Sequence, residues 1–91
     1  MDWDKYGFVV GSKLRLEILK SLKYAKTPTQ ISKETGNKAS NISSTLADFT
    51  KQGIAECLTP KKRVGKIFKL TKLGEEILNY YKDSTKKQDE S

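Results

Sequence analysis

The sequence predicts a small, mainly α-helical domain that contains one β-hairpin. Residues 27–52 carry the start signals and the apolar spacing of two short helices joined by a tight turn. Residues 54–70, IAECLTPKKRVGKIFKL, have the pattern of two strands around a loop rich in Lys and Arg. A chain of 91 residues forms one domain with a modest core. Self-association is therefore a natural way to cover leftover apolar surface.

The N-terminal residues are compatible with two structures up to residue 11, and they predict a helix after it. Residues 3–10 are apolar enough for a helical turn or for an extended arm, so residues 1–11 are assigned to an N-terminal arm or short helix. Ser12 is a suitable N-cap for a helix over residues 13–22. In that helix Leu14, Ile18 and Leu22 recur every four residues and form a stripe toward the core.

The second predicted helix has the best start signal in the chain. Thr27 is the expected N-cap, Pro28 suits the first helical position, and Gln30 completes a capping box. Gly36 permits the left-handed turn that ends the helix after Thr35. Thr29 and Gln30 serve this cap in the simplest interpretation. The same helix start also offers backbone N–H groups to a phosphate.

The third predicted helix covers about residues 38–52, with Ile42, Leu46 and Phe49 facing the core. Its opposite side is polar near the start of the helix. Most such sides are simply solvated, but this one precedes a basic hairpin, an order of elements suited to gripping nucleic acid. We therefore take five residues as candidate DNA contacts: Lys38, Ser40, Asn41, Ser43 and Ser44.

The predicted hairpin consists of strands over residues 54–58 and 66–70. Its loop concentrates positive charge, and a charged tip that only prevents aggregation is the simpler explanation. Four cations within six residues exceed that need. They are candidate contacts to phosphates or to the minor groove: Lys61, Lys62, Arg63 and Lys66.

The C-terminal segment predicts a final helix from Lys72 to about Lys82, capped by Thr71. We assign residues 72–84 to a dimerisation helix and residues 85–91 to a frayed tail. Apolar side chains near the two chain ends exceed what a small core needs, although ordinary core packing is the alternative. The predicted dimer interface contains Trp3, Phe8, Ile77, Tyr80 and Tyr81.

The net charge of +7 is concentrated in the body of the chain. Residues 11–70 carry 13 Lys or Arg against 4 Asp or Glu, whereas the two ends are each slightly acidic. Such a field attracts phosphate polyanions and raises encounter rates with them. A lysine-rich surface that merely faces water is the alternative explanation of composition alone.

Composition also excludes several classes of function. The chain has no histidine and only Cys57 as cysteine, which argues against a metal site, a disulfide and acid–base catalysis. We expect no enzyme activity and no cofactor. No apolar run approaches the roughly 18 residues of a membrane span, and the N-terminus lacks the basic start of a secretory signal. The expected location is cytoplasmic, associated with the nucleoid.

Four stretches together resemble the winged helix-turn-helix regulators of the ArsR-like and MarR-like groups of archaea and bacteria. They are SKLRLEILKSL (12–22), TPTQISKETG (27–36), SNISSTLADFTKQGIAECL (40–58) and FKLTKLGEEIL (68–78). The resemblance implies a winged helix-turn-helix domain over residues 12–71 with an extra C-terminal helix. It also implies that the third helix enters the DNA major groove beside a wing loop, and that the terminal segments form a symmetric dimer.

Two positions depart from the pattern of these groups. Ser44 stands where members often carry arginine, and Asn37 stands where an apolar residue is common. The functional prediction is a homodimeric, sequence-specific regulator of transcription that binds double-stranded DNA. The alternatives are a weakly specific architectural DNA binder and a winged-helix adaptor for protein interactions. An RNA-binding role is less favoured, because the tyrosines do not form a stacking platform near the loop.

Overall fold

The structure is a computed structural model that describes residues 1–89, and these form five helices and one two-stranded antiparallel sheet. This confirms the predicted fold class. The elements in chain order are α1 (Trp3–Val10), α2 (Lys13–Ser21), α3 (Pro28–Thr35), α4 (Ala39–Lys51), β1 (Ala55–Cys57), β2 (Phe68–Leu70) and α5 (Lys72–Asp89).

The N-terminal segment is a helix and not an extended arm. The Asp2 carboxylate caps α1 by accepting from the backbone N–H of Lys5 at 3.2 Å. Two cations then attach α1 to the rest of the domain. Arg15 on α2 donates to the carbonyl of Phe8 at 3.2 Å, and Lys5 Nζ donates to the carbonyl of Gln52 at 2.6 Å. Gln52 is the C-cap of α4, where a cation also complements the helix dipole.

The predicted capping box of α3 is present. Thr27 Oγ1 accepts from the N–H of Gln30 at 3.2 Å, and Gln30 Oε1 accepts from the N–H of Thr27 at 2.9 Å. Gly36 ends the helix at a φ of 75°, in the left-handed region. In the turn that follows, Asn37 is held by polar contacts, because its carbonyl accepts from Ser32 Oγ at 2.7 Å.

The two strands are shorter than the sequence predicts. They pair Ala55 with Leu70 and Cys57 with Phe68, and regular pairing ends there. The reason is local: Thr59 Oγ1 accepts from the N–H of Ile67 at 3.0 Å, so a side-chain hydroxyl takes the place of a ladder carbonyl. Residues 60–66 are thereby left as a loop beyond the sheet.

β2 also has a neighbour on its other edge that the sequence did not indicate. Lys26, which the pattern places in a connector, exchanges two backbone hydrogen bonds with Phe68, at 2.9 and 2.8 Å. This bridge fixes the chain just before α3 against the hairpin. The base of the loop and the start of α3 are therefore held side by side.

One hydrophobic core joins all five helices and the sheet. The α4 stripe predicted from the sequence is fully buried in it, as is Ile31 of α3. The core residues are Val9, Ile18, Leu19, Leu22, Ile31, Ile42, Leu46, Phe49, Ile54, Ala55, Leu70, Ile77 and Leu78. Burial of these side chains on one side of α4 leaves its polar side facing outward.

The junction between β2 and α5 is closely packed around one glycine. The N–H of Thr71 donates to the carbonyl of Ile54 at 3.0 Å, and Thr71 Oγ1 caps α5 by accepting from the N–H of Gly74 at 3.2 Å. A Cβ atom added at Gly74 would lie 2.1 Å from that same Ile54 carbonyl oxygen. Only glycine at position 74 lets α5 approach the Ile54 carbonyl, just before β1, this closely.

The last helix is longer than expected. α5 continues to Asp89, so most of the predicted tail over residues 85–91 is helical, while Glu90 and Ser91 lie outside the described residues. Residues 82–89 contain no glycine or proline that would end a helix. Thr85 Oγ1 donates to the carbonyl of Tyr81 at 2.8 Å, which is compatible with a continuing helix.

The free energy of unfolding should depend on pH through a carboxylate that joins α3 to α2. Glu34 accepts hydrogen bonds from Lys26 Nζ, at 2.5 and 2.6 Å, and from the Ser21 hydroxyl. These bonds, that from Lys26 first, lower the pKa of Glu34 below its ordinary value. A lowered folded pKa means that the contribution is present above the unfolded carboxyl pKa and is lost as the pH falls through the folded pKa.

We therefore expect Glu34→Gln to lower the free energy of unfolding at pH 7 and to reduce its loss on acidification. Urea unfolding at pH 7 and pH 3.5 measures both effects. Glu76→Gln, which changes an exposed carboxylate on α5, is the matched control. Equal acid sensitivity of wild type and Glu34→Gln would contradict the role of this carboxylate.

Candidate nucleic-acid interface

The polar side of α4 is exposed as the sequence predicted. Ser40, Asn41, Ser43 and Ser44 are all exposed, and Lys38 is exposed at the N-cap position just before the helix. The buried side of the same helix consists of Ile42, Thr45, Leu46 and Phe49. The hydroxyl and amide groups of α4 are therefore available to a partner.

These residues do not all point the same way. At 3.6 residues per turn, Ser40, Ser44, Ala47 and Lys51 form the row that lies opposite the core. Ser43 lies on the flank of α4 toward the hairpin loop. Asn41 precedes it by two positions and therefore lies on the other flank. A partner that lies along α4 would contact the small residues of this row, Ser40, Ser44 and Ala47, directly. It would contact Asn41 only at one flank of the helix.

A groove of about 710 Å³ joins three of the regions that the sequence singled out. Its walls are the start of α3, including Thr29, one flank of α4, including Ser43, and the hairpin loop, including Arg63 and Lys66. We call this feature the interface groove. It brings the start of α3, α4 and the basic loop onto one face of the domain.

The basic loop, residues 61–66, stands out from this face. Lys61, Lys62 and Arg63 are exposed, and Lys66 is half-buried at the edge of the interface groove. Val64 is 85% exposed beside Arg63, and Gly65 has a φ of 71°, in the left-handed region. The loop thus presents cations and one apolar side chain to solvent.

The two residues predicted at the start of α3 have different surroundings. Both are exposed, but the Gln30 side chain is engaged in the capping box, whereas Thr29 lines the interface groove. Thr29 is the better placed of the two for a phosphate.

Lys51 is a residue of the interface groove that the sequence reasoning missed. It is exposed at the end of α4 and lines the interface groove with Ser43, which lies eight residues earlier. Helical spacing from Ser44 would have found it, because positions seven apart share a face. Lys51 adds positive charge at the opposite end of α4 from Lys38.

A second exposed surface lies where α1 meets α5. The rings of Trp3, Tyr6 and Tyr80 meet edge to face, with centroids 5.1–5.7 Å apart, and we call them the terminal aromatic cluster. Trp3 is 57% exposed and Tyr80 is 44% exposed. Burial, followed by the neighbouring Tyr80 and Tyr81, raises the pKa of the Tyr6 hydroxyl above its ordinary value. The Tyr6 hydroxyl therefore stays uncharged at physiological pH.

The predicted dimer residues need one correction. Ile77 is fully buried in the core of its own chain and is not available to a second copy. Phe8 is half-buried beneath the Arg15 guanidinium, which lies 3.9 Å from its ring centroid. Tyr81 is half-buried, with Lys20 Nζ 5.0 Å from its ring centroid. Trp3 and Tyr80 therefore offer most of the apolar surface at this face.

Among residues 1–89 there is no group of three or more Cys, Asp or Glu side chains placed to hold a metal ion. None of the helices described is both long and apolar enough to cross a membrane.

The fold defined by these elements is the winged helix-turn-helix. α3 and α4 form the helix-turn-helix, and the hairpin with its basic loop forms the wing. No protein-family model matches the sequence, and no curated protein is significantly similar to it. The likeness to known proteins is therefore one of structure.

Three solved structures share this fold at low sequence identity. A mutant of TubR, from type III plasmid segregation, is 15% identical with a TM-score of 0.76, and the match covers 90% of both chains. The homodimeric winged helix-turn-helix DNA-binding domain of Mb0332 from Mycobacterium bovis is 19% identical with a TM-score of 0.71, over 96% of this chain and 78% of that one.

The third structure was determined with DNA bound. FabT of Streptococcus pneumoniae, in complex with DNA, is 23% identical with a TM-score of 0.71. The match covers 94% of this chain and 66% of FabT. All three likenesses establish the fold of this chain.

Proposed function

We propose that this protein is a homodimeric, sequence-specific regulator of transcription that binds double-stranded DNA. The interface groove carries the proposal, because it places the start of α3, α4 and the basic loop on one cationic face. The structural likeness to FabT, which was solved in complex with DNA, supports it. Such a protein would act in the cytoplasm, in association with the nucleoid.

The proposed docking mode follows from the shape of that face. α4 enters the major groove, and the basic loop lies over the adjacent minor groove or its phosphates. The DNA backbone between the two grooves then runs along the interface groove. Lys51 and Lys66 are placed for its phosphates, and Ala47 and Phe68 offer apolar contact to its sugars.

The proposed dimer uses the terminal aromatic cluster. Trp3 and Tyr80 present exposed aromatic rings at the junction of α1 and α5, where a two-fold axis would bring them against the same residues of a second copy. Lys5 Nζ on α1 donates to the Gln52 carbonyl at the end of α4, which links this junction to the helix proposed to enter the major groove. A two-fold dimer would bind a roughly palindromic site.

Charge placed in the terminal aromatic cluster should disrupt the dimer. We expect Trp3→Glu to convert a dimer into a folded monomer, because the carboxylate would lose its hydration at the interface. Sedimentation velocity measures the change. Tyr24→Glu is the matched control, since Tyr24 is 69% exposed on the connector before α3. A Trp3→Glu protein that sediments like wild type would contradict this interface.

A second candidate function is weakly specific binding that organises or partitions DNA. The plasmid segregation protein supports it, since the match covers 90% of each chain. The row Ser40, Ser44 and Ala47 also supports it, because these short side chains make few contacts to base edges. Under this alternative, binding would depend on DNA length more than on sequence.

Selection from random duplexes with purified protein decides between the two. The proposed function predicts enrichment of one palindromic motif. Equal recovery of all sequences would favour the architectural role. Failure to bind any duplex at 150 mM salt would contradict both and would favour a winged-helix adaptor for proteins.

A further inference from the structure

We infer that the DNA site is rich in A·T pairs at the positions read by this protein, with adenine read by Asn41 in the major groove and a narrow A·T minor groove read by Arg63. The inference rests on the proposed function and specifies its substrate. It depends on three observations: where the arginines lie, what α4 exposes, and how the basic loop is built.

The first observation is where the arginines lie. Guanine is most often recognised by an arginine that donates hydrogen bonds to its O6 and N7 atoms. The chain has two arginines. Arg15 is held between α1 and α2: its guanidinium lies 3.9 Å from the Phe8 ring centroid and donates to the Phe8 carbonyl at 3.2 Å. The Arg15 side chain therefore holds α1 against α2 and does not lie on α4. Arg63, on the basic loop, is the arginine left for DNA.

The second observation concerns the outward side of α4. Between Ala39 and Thr50 the helix carries no Lys or Arg. Its exposed side chains there are three serines, two alanines, Asn41 and, in the last turn of the helix, Asp48 and Thr50. An asparagine amide pairs with N6 and N7 of adenine through two hydrogen bonds, and an alanine methyl group contacts the thymine methyl group. The chemistry that α4 offers to the major groove therefore suits A·T pairs.

Lys38 does not reverse this preference. It occupies the N-cap position, before the first turn of α4, and its ammonium group sits on a long flexible chain. A lysine at a helix start beside DNA serves a phosphate as readily as a guanine. It adds affinity at the edge of the site without fixing the bases beneath the centre of α4.

The third observation concerns the basic loop. Arg63 is exposed next to Val64, which is 85% exposed, on a loop that extends beyond the last strand pair. Minor grooves of A·T tracts are narrow and strongly negative, which attracts arginine in particular. Both readers of this protein consequently favour the same base pairs, one from each groove.

Inosine·cytosine pairs separate the two readers, because they resemble A·T in the minor groove and G·C in the major groove. In the selected duplex, replacing A·T pairs beneath α4 with I·C should weaken binding by about tenfold. Replacing A·T pairs beneath the loop with I·C should change affinity less than about twofold, whereas G·C there should weaken it by about tenfold. Fluorescence anisotropy at fixed salt measures each affinity.

Two variants test whether Asn41 causes the preference beneath α4 and whether Arg63 causes the preference beneath the loop. Asn41→Ala should remove the penalty of I·C beneath α4, and Arg63→Lys should remove the penalty of G·C beneath the loop while keeping the charge. Lys23→Ala, an exposed change outside the interface groove, is the control and should leave both penalties. Both reader side chains are exposed, and circular dichroism of each variant checks its fold.

Results that contradict the A·T preference can be distinguished from results that contradict DNA binding as a whole. Tight binding to a selected duplex that tolerates G·C at both positions would overturn this inference alone. The same holds if Asn41→Ala and Arg63→Lys keep both penalties. Absence of binding to every duplex would overturn the proposed function and this inference with it.

Discussion

Replacing Gly74 with alanine should lower the free energy of unfolding by about 3 kcal/mol or more, since overpacking alone typically costs 1–3 kcal/mol. The added Cβ would lie 2.1 Å from the Ile54 carbonyl oxygen and 3.0 Å from Leu70 Cδ2. The carbonyl cannot yield easily, because it already accepts from the N–H of Thr71 at 3.0 Å. Relief of the clash would require α5 to move away from Ile54 and open the core.

Chemical denaturation of Gly74→Ala and Gly7→Ala measures this effect against a matched control. Gly7 lies in the middle of α1, and among the described residues no atom outside its own helix would come within 4 Å of an added Cβ there. Alanine at Gly7 should therefore stabilise the protein by roughly 0.5–1 kcal/mol. If both variants were equally stable, the close approach of α5 to the Ile54 carbonyl would be wrong.

The double variant Lys61→Ala/Lys62→Ala should weaken binding to the selected duplex by roughly 10–100-fold at 100 mM salt, because two phosphate contacts are lost. The loss should be similar for all duplex sequences, since phosphates carry no base information. The slope of log K against log salt should become shallower by about 1.8, as expected for two phosphates at 0.9 each. Anisotropy titrations from 50 to 200 mM salt measure both quantities.

A matched control removes the same charge elsewhere. Lys23 and Lys82 are exposed on the side of the domain where α2 meets α5, outside the interface groove. Lys23→Ala/Lys82→Ala should change affinity less than about threefold, through the long-range field alone. Equal losses in the two double variants would mean that net charge, and not the basic loop, attracts the DNA.

Local signals in the sequence predicted much of the fold. The capping box from Thr27 to Gln30, the left-handed Gly36 and the apolar stripe of α4 each depend on neighbours within a few residues, and each is present. The exposed polar side of α4 followed from the same periodicity. The order of helix pair and basic hairpin then predicted the fold class.

Contacts between distant residues could not be predicted in this way. The bridge between Lys26 and Phe68, and the bond from Lys5 to the Gln52 carbonyl, join residues more than forty positions apart. Ile77 was placed in the dimer interface because an apolar stripe does not reveal which partner covers it. The end of α5 was set too early because a polar composition suits either a tail or a solvated helix.

The central claim is that α4 and the basic loop form the face that binds duplex DNA. Backbone amide chemical shifts, recorded by NMR while the selected duplex is titrated into the protein, test it most directly. We predict that the shift changes concentrate in residues 38–44 and 61–66, with little change around Lys23. Changes concentrated in α1 and α5, with residues 38–44 and 61–66 unaffected at saturation, would contradict the claim.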